Sequence, residues 1–212
     1  MSRRRVLVGA FALLLASCTS SGDLPDGAQL LDKSAAAMRS VDSTHFTVKV
    51  DGELPDVTVK DAEGDLNAKG ESKGRAKVEQ FGQLLEVEYV LVDRDLYVKG
   101  PTGGFTKLPA ALAGQVYDPT AILDPERGVA KVLDRAEGAK TVSAGDGAAV
   151  VEATVPKDVV AGLVPGIGDD VRGRFSLKDD KLTDAVFELS GGAKVAIGLS
   201  DFNKSFTVSP PR

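Results

Sequence analysis

No tryptophan occurs in the 212 residues, and histidine and cysteine occur once each. Each scarcity closes a class of explanation. A lone cysteine, Cys18, forms no internal disulfide and builds no Cys-rich metal site, and a lone histidine, His45, excludes a His-based metal cluster. A Ser-His-Asp device stays open by count, because Ser43 and Thr44 adjoin His45. However, the chain has no Gly-x-Ser-x-Gly elbow, and His45 falls where a strand begins. The P-loop, the dinucleotide fingerprint and the EF-hand loop are missing too. No uncharged apolar run reaches the roughly 20 residues that a membrane-spanning helix needs. Positive charge is not in excess: the formal net charge is −5, even counting three N-terminal arginines. That balance argues against nucleic acid or anionic headgroups as electrostatic partners. No enzymatic activity, cofactor or metal is expected. Aromatic residues make up only 5% of the chain, so its core is built from small aliphatic side chains, which fill space less efficiently per residue.

The one cysteine sits in an informative place. Arg3-Arg4-Arg5 precedes the apolar run Val6–Ala16, which has the length of a signal-peptide core, and Leu15-Ala16-Ser17-Cys18 then fits the bacterial lipobox. In that motif a diacylglycerol thioether forms on the cysteine sulfur and the leader is cut just before it. Two or three acyl chains hold a protein to a leaflet where one does not. Residues 1–17 are therefore expected to be a lipoprotein signal peptide, with export by the Sec or Tat route, and Cys18 the lipid anchor. The alternative is an ordinary secreted protein with a stray cysteine near its cleavage site. Residues 18–26, polar and turn-rich, read as the lipidated tether, and 27–212 as a single domain.

Within that domain Asp26 is placed to cap a helix running to about Val41, with Leu30, Leu31, Ser34, Ala35 and Met38 on one stripe. Beyond Asp42 the hydrophobic period becomes two. Phe46, Val48 and Val50 alternate with polar residues; Val57 and Val59 follow Pro55; Leu66 and Ala68 follow a turn expected at Glu63-Gly64. Ala76 and Val78 come next, then Leu85, Val87, Tyr89 and Leu91 in the clearest strand, then Leu96 and Tyr97. Two Asp-Pro pairs, at 118–119 and 124–125, each set a capping acceptor before a proline, predicting helices over 119–123 and 125–136. Strands resume over 139–145 and 148–155, a short helix follows Pro156, and further strands are expected over 171–178, 182–190, 193–200 and 204–208. This order is that of an α+β domain with a large antiparallel sheet. Glu86 and Glu88 point the same way, but onto the wet face, and Asp169-Asp170 and Asp179-Asp180 fall in turns.

Several stretches together resemble the LppX/LprA/LprF/LprG group of actinobacterial lipoproteins. They are the lipobox Leu15–Cys18, SVDSTHFTVKVDGELP at 40–55, LLEVEYVLVDRDLYV at 84–98, VYDPTAILDPERGVAKVL at 116–133 and SDFNKSFTVSPP at 200–211. The third of the longer blocks, with its two Asp-Pro caps at a fixed interval, is the most specific. The resemblance implies a half-barrel, a curved sheet wrapped around a few helices with an apolar cavity between them. It further implies binding of envelope lipids (triacylglycerol, phosphatidylinositol mannosides or related glycolipids) and their carriage from the outer face of the plasma membrane, often with a membrane exporter. Absence of tryptophan and a Gly-rich 156–172 segment depart from the group and bear on the cavity mouth.

An alternating strand face is ordinarily a packed core, so the cavity reading rests on the resemblance. On it, the inward positions Phe46, Val48, Val50, Ala76, Val78, Leu85, Val87, Tyr89, Leu91, Ala185, Phe187, Val195 and Ile197 are expected to line the lipid cavity. The competing reading is an anchored interaction ectodomain that docks an exporter or sensor kinase without cargo.

Overall fold

The computed structural model describes residues 24–54, 57–108 and 118–212. The expected leader and Cys18 lie outside the described residues. The described chain forms one sheet of eleven antiparallel strands. In chain order they are β1 (Ser43–Asp51), β2 (Val59–Asn67), β3 (Ser72–Gln80), β4 (Gln83–Val92), β5 (Asp95–Lys99), β6 (Thr106–Lys107), β7 (Glu137–Gly145), β8 (Ala148–Val155), β9 (Val171–Lys178), β10 (Lys181–Glu188) and β11 (Lys194–Ser200). The spatial order is β6-β5-β4-β3-β2-β1-β11-β10-β9-β8-β7, so the sheet does not close. The helices are α1 (Gly27–Met38), a 3-10 helix (Pro119–Leu123), α2 (Val129–Arg135) and α3 (Lys157–Leu163).

Local chemistry explains most boundaries. The Asp26 side chain accepts from the Gln29 N–H at 3.0 Å and caps α1. The buried stripe of α1 is Leu31, Ser34, Ala35 and Met38, one face of a helical period. The helix stops at Met38, and Val41 is buried from the connection to β1 instead. In the middle of the chain Asp118 caps the 3-10 helix, as the Asp-Pro pair predicts. The second pair behaves differently: residues 125–128 form a turn, and α2 begins only at Val129. Asp124 uses its carboxylate to hold the Glu126 and Arg127 N–H groups of that turn.

Two further expectations are corrected. Glu63-Gly64 is not a turn but lies inside β2; the chain reverses over 68–71, where the Asn67 side chain accepts from the Lys69 and Glu71 N–H groups. Gly64 pairs directly with Gly74 of β3, and a Cβ on either would run into the facing backbone carbonyl, Lys73 O or Glu63 O. Glycine is required here because the backbones approach too closely for any side chain. The other correction is the C-terminal segment: 204–208 forms no strand. It is tied across the sheet by isolated bonds, Ser43 Oγ to Lys204 O at 2.8 Å and Lys73 Nζ to Thr207 O at 3.1 Å.

Among the described residues, the helices back only part of the sheet. α1 packs on β7, β8 and β10 and on α2, and α2 also meets α3, whereas the 3-10 helix is the element that reaches β2. An ion pair between Arg39 and Asp134 at 3.0 Å joins the end of α1 to α2. Between these helices and the strands lies a filled core of Leu31, Leu133, Leu163, Phe175, Phe187 and Ile197, all essentially without solvent contact. Phe175 and Phe187 meet edge to face at 6.1 Å. Among the described residues, the hydrophobic core is drawn from positions between Leu30 and Phe202.

Candidate ligand-binding cavity

Over the other part of the sheet the inward side chains are small. β2 presents Val59 and Ala62, β3 presents Ala76 and Val78, and beyond them stand Val87, Tyr89 and Leu91 of β4 and Leu96 and Val98 of β5. With Phe46 beneath and Pro119 and Thr120 of the 3-10 helix above, they line a partly open cavity of about 910 Å3. Among the described residues, short side chains here meet no α-helix that would fill the gap. Its walls are apolar, but one end carries charges: Lys69 and Glu71 from the β2–β3 turn, Asp93 and Arg94 from the β4–β5 turn, and Asp118, Asp124 and Arg127.

The last three form a clasp. Arg127 donates from Nη2 to Asp118 Oδ2 at 2.9 Å and from Nε to Asp124 Oδ2 at 3.2 Å. One guanidinium thus joins the two Asp-Pro caps and holds the 3-10 helix and the following turn as one unit. Burial works to raise the Asp124 carboxyl pKa, but the Glu126 and Arg127 N–H bonds and the Arg127 guanidinium prevail and leave it below the usual value. Deeper in the wall, the Ser72 hydroxyl donates to Asp65 O at 3.0 Å, so the Tyr89 O–H, 3.0 Å from Ser72 Oγ, is the donor to it. Burial pushes the Tyr89 phenol well above its ordinary range, with the Ser72 bond acting the other way. Its polar atom satisfied, Tyr89 offers its ring to the cavity.

Of the inward residues expected to line a cavity, the structure brings Phe46, Ala76, Val78, Val87, Tyr89 and Leu91 together around this one. Val48, Val50, Ala185, Phe187, Val195 and Ile197 are buried in the filled core instead, and Leu85 is half-buried near the start of β4. Sequence reasoning missed Leu96 and Val98, which continue the alternation of β5, and Val59 and Ala62 as a pair. An irregularity between Val59 and Asp61 breaks the period of two, so both residues face inward despite their spacing. Arg127 was missed although its signal lay in the same Asp-Pro segment.

The opposite face holds the lone histidine. His45 Nδ1 lies 2.9 Å from Asp65 Oδ1 on the neighbouring strand, at a half-exposed position. The adjacent hydroxyls are engaged elsewhere, Ser43 on Lys204 O and Thr44 on Ser200 O at 2.8 Å. Glu86 and Glu88 face outward, and Glu88 pairs with Lys99 at 3.0 Å.

An unclosed antiparallel sheet, packed against helices over one part and lining a cavity over another, defines a half-barrel. The chain belongs to the LppX_LprAFG lipoprotein family, whose model matches residues 26–208. It is 32% identical to the lipoarabinomannan carrier protein LprG of Mycolicibacterium smegmatis, over 97% of this chain and 93% of that protein. It is 33% identical to the protein of the same name from Mycolicibacterium hassiacum, over 99% and 98% respectively. The crystal structure of LprF from Mycobacterium bovis has the same fold, with a TM-score of 0.77 at 23% identity, covering 89% of this chain and 98% of that one. LppX from Mycobacterium tuberculosis shares it with a TM-score of 0.64 at 18% identity, covering 86% and 97%.

Proposed function

We propose that this protein is a lipid carrier that takes the acyl chains of an envelope lipid or glycolipid into the cavity beneath β2–β5, without catalysis. The cavity itself carries this reading: about 910 Å3 of apolar-walled space with a charged end. If a methylene takes roughly the 30 Å3 of a water molecule, that volume holds about 30 methylenes, or two ordinary acyl chains. Each methylene gains about 0.8 kcal/mol on leaving water. A bilayer offers the same gain, so the cavity competes with the membrane on nearly equal terms. Loading and unloading are then both feasible, which suits a carrier better than a store. The charged end gives a headgroup hydrogen-bonding partners of both signs. The two relatives named as lipoarabinomannan carriers support a cargo of that multi-acylated glycolipid kind, while triacylglycerol or phosphatidylinositol mannosides satisfy the same space.

In this reading Cys18, acylated after removal of 1–17, anchors the domain to the outer face of the plasma membrane. A membrane exporter supplies or receives the lipid. The test is native mass spectrometry of chain 24–212 expressed in an actinobacterial host. Co-purifying lipid released by organic solvent is expected; an empty protein that also takes up no fluorescent fatty acid would overturn the proposal.

A further inference from the structure

The β3–β4 hairpin ends in the tetrad Gln80-Phe81-Gly82-Gln83, with Gln80 and Gln83 paired across the two-residue turn. Phe81 is 97% exposed and sits at φ +53°, in the left-handed region. Both facts run against folding. A bulky residue at positive φ is strained where Asn, Asp or Gly is the ordinary choice, and a phenyl ring in water gains nothing from burial. Leu84, on the same tip, is 62% exposed. The tip has no charge over residues 80–85, in a chain that is 27% charged. Among the described residues, no contact accounts for an apolar group held out at this cost.

We infer that this tip is a membrane-docking element, seating Phe81 and Leu84 in the acyl region of a bilayer surface. The inference rests on the carrier reading. Three observations favour a bilayer over a protein partner. The tip continues into the cavity wall, because Val78 and Leu85 are cross-strand partners just behind it and Val78 lines the cavity. It lies at the end of the sheet away from the charged Lys69–Glu71 and Asp93–Arg94 turns, so a docked tip faces lipid with the apolar end of the cavity. Finally, Cys18 is six peptide links from Leu24, a span of no more than about 20 Å, which keeps an anchored domain beside the membrane and its acyl phase at high effective concentration.

The absence of tryptophan makes the test clean. In chain 24–212, Phe81→Trp supplies the single tryptophan, excited selectively over the three tyrosines, mixed with phosphatidylcholine vesicles with and without brominated acyl chains. A blue shift and quenching by the brominated lipid are expected, and neither for Val142→Trp on β7. Phe81→Ser should weaken vesicle partition roughly 10- to 100-fold, the worth of one buried phenyl ring, while melting no lower than the parent. No shift at position 81, or partition unaffected by Phe81→Ser, overturns the inference and leaves a protein partner for the tip. Uptake of a fluorescent fatty acid from detergent micelles separates the two readings. Uptake without vesicle docking sinks this inference alone, and docking without uptake sinks the carrier.

Discussion

Ala76→Trp asks whether the space under β3 is a working cavity. The indole takes roughly the room of five methylenes, about 150 Å3 at 30 Å3 each, out of about 910 Å3. Displacing five methylenes of cargo forfeits about 4 kcal/mol of transfer free energy at 0.8 kcal/mol each. That is about a thousandfold in affinity for a chain that otherwise fills the space. Stability should respond in the opposite sense to an ordinary core. Overpacking a filled interior costs about 1–3 kcal/mol, or some 2–12 °C in Tm for a domain of this size. At Ala76 the ring enters empty volume, so Tm should hold or rise. Ala185→Trp is the control, the same exchange at a site 1% exposed and paired with Phe175 and Ile197; it should melt at least about 10 °C lower, at the upper end of that overpacking range. The assay is lipid occupancy by native mass spectrometry together with calorimetric melts of both variants. Should Ala76→Trp melt as early as Ala185→Trp and still carry lipid, the assignment of the space is wrong.

Other substitutions probe the frame around the cavity. Gly74→Ala drives a methyl into the Glu63 carbonyl and should cost about 3 kcal/mol, measured by urea denaturation with unchanged m-value. Tyr89→Phe removes the buried bond to Ser72 and should cost about 1 kcal/mol. The same tyrosine makes the fold alkali-sensitive. Its folded pKa lies above the unfolded value near 10, so the stability it contributes is complete below pH 10 and declines as pH rises beyond it. Absorbance titration should show one phenol that ionises only with unfolding, lost in Tyr89→Phe. Asp124 behaves conversely: its lowered pKa contributes stability above about pH 4 that fades as the carboxyl protonates. Arg127→Gln should remove only part of that acid dependence, because the Glu126 and residue-127 N–H bonds to the carboxylate remain, while costing less than about 1 kcal/mol at neutral pH, since the pair is partly exposed.

Strand positions and their inward faces were legible because a period of two is a local property: Phe46, Val48, Val87 and Val195 all lie where alternation places them. Whether such a face meets packed side chains or open space was not legible. Val195 and Val87 carry the same pattern, but Val195 is sealed in the filled core while Val87 faces the cavity. Coverage is decided by the path of distant segments. Gly64 was misread for a related reason. An isolated glycine in a strand pattern signals a turn or a close approach, and only its partner Gly74, which lies across a reversal, decides between them. The 204–208 segment alternates like a strand yet forms no ladder, because alternation marks a half-buried extended chain and supplies no hydrogen-bonding neighbour. Phe81 left no such trace: nothing in a local pattern says that a phenylalanine will stand in water.

The one-sided placement of the helices distributes stiffness unequally. From β1 through β11 to β7 the sheet is braced, and its amides should exchange only with global unfolding. Beyond the Gly64–Gly74 pair, among the described residues, the strands β3–β5 are held chiefly by one another, so they can breathe without disturbing the braced half. Deuterium uptake should therefore run ahead in β3–β5. Capacity in such a molecule is elastic, set by how far one flank yields, and molecules of different bulk can share a single berth.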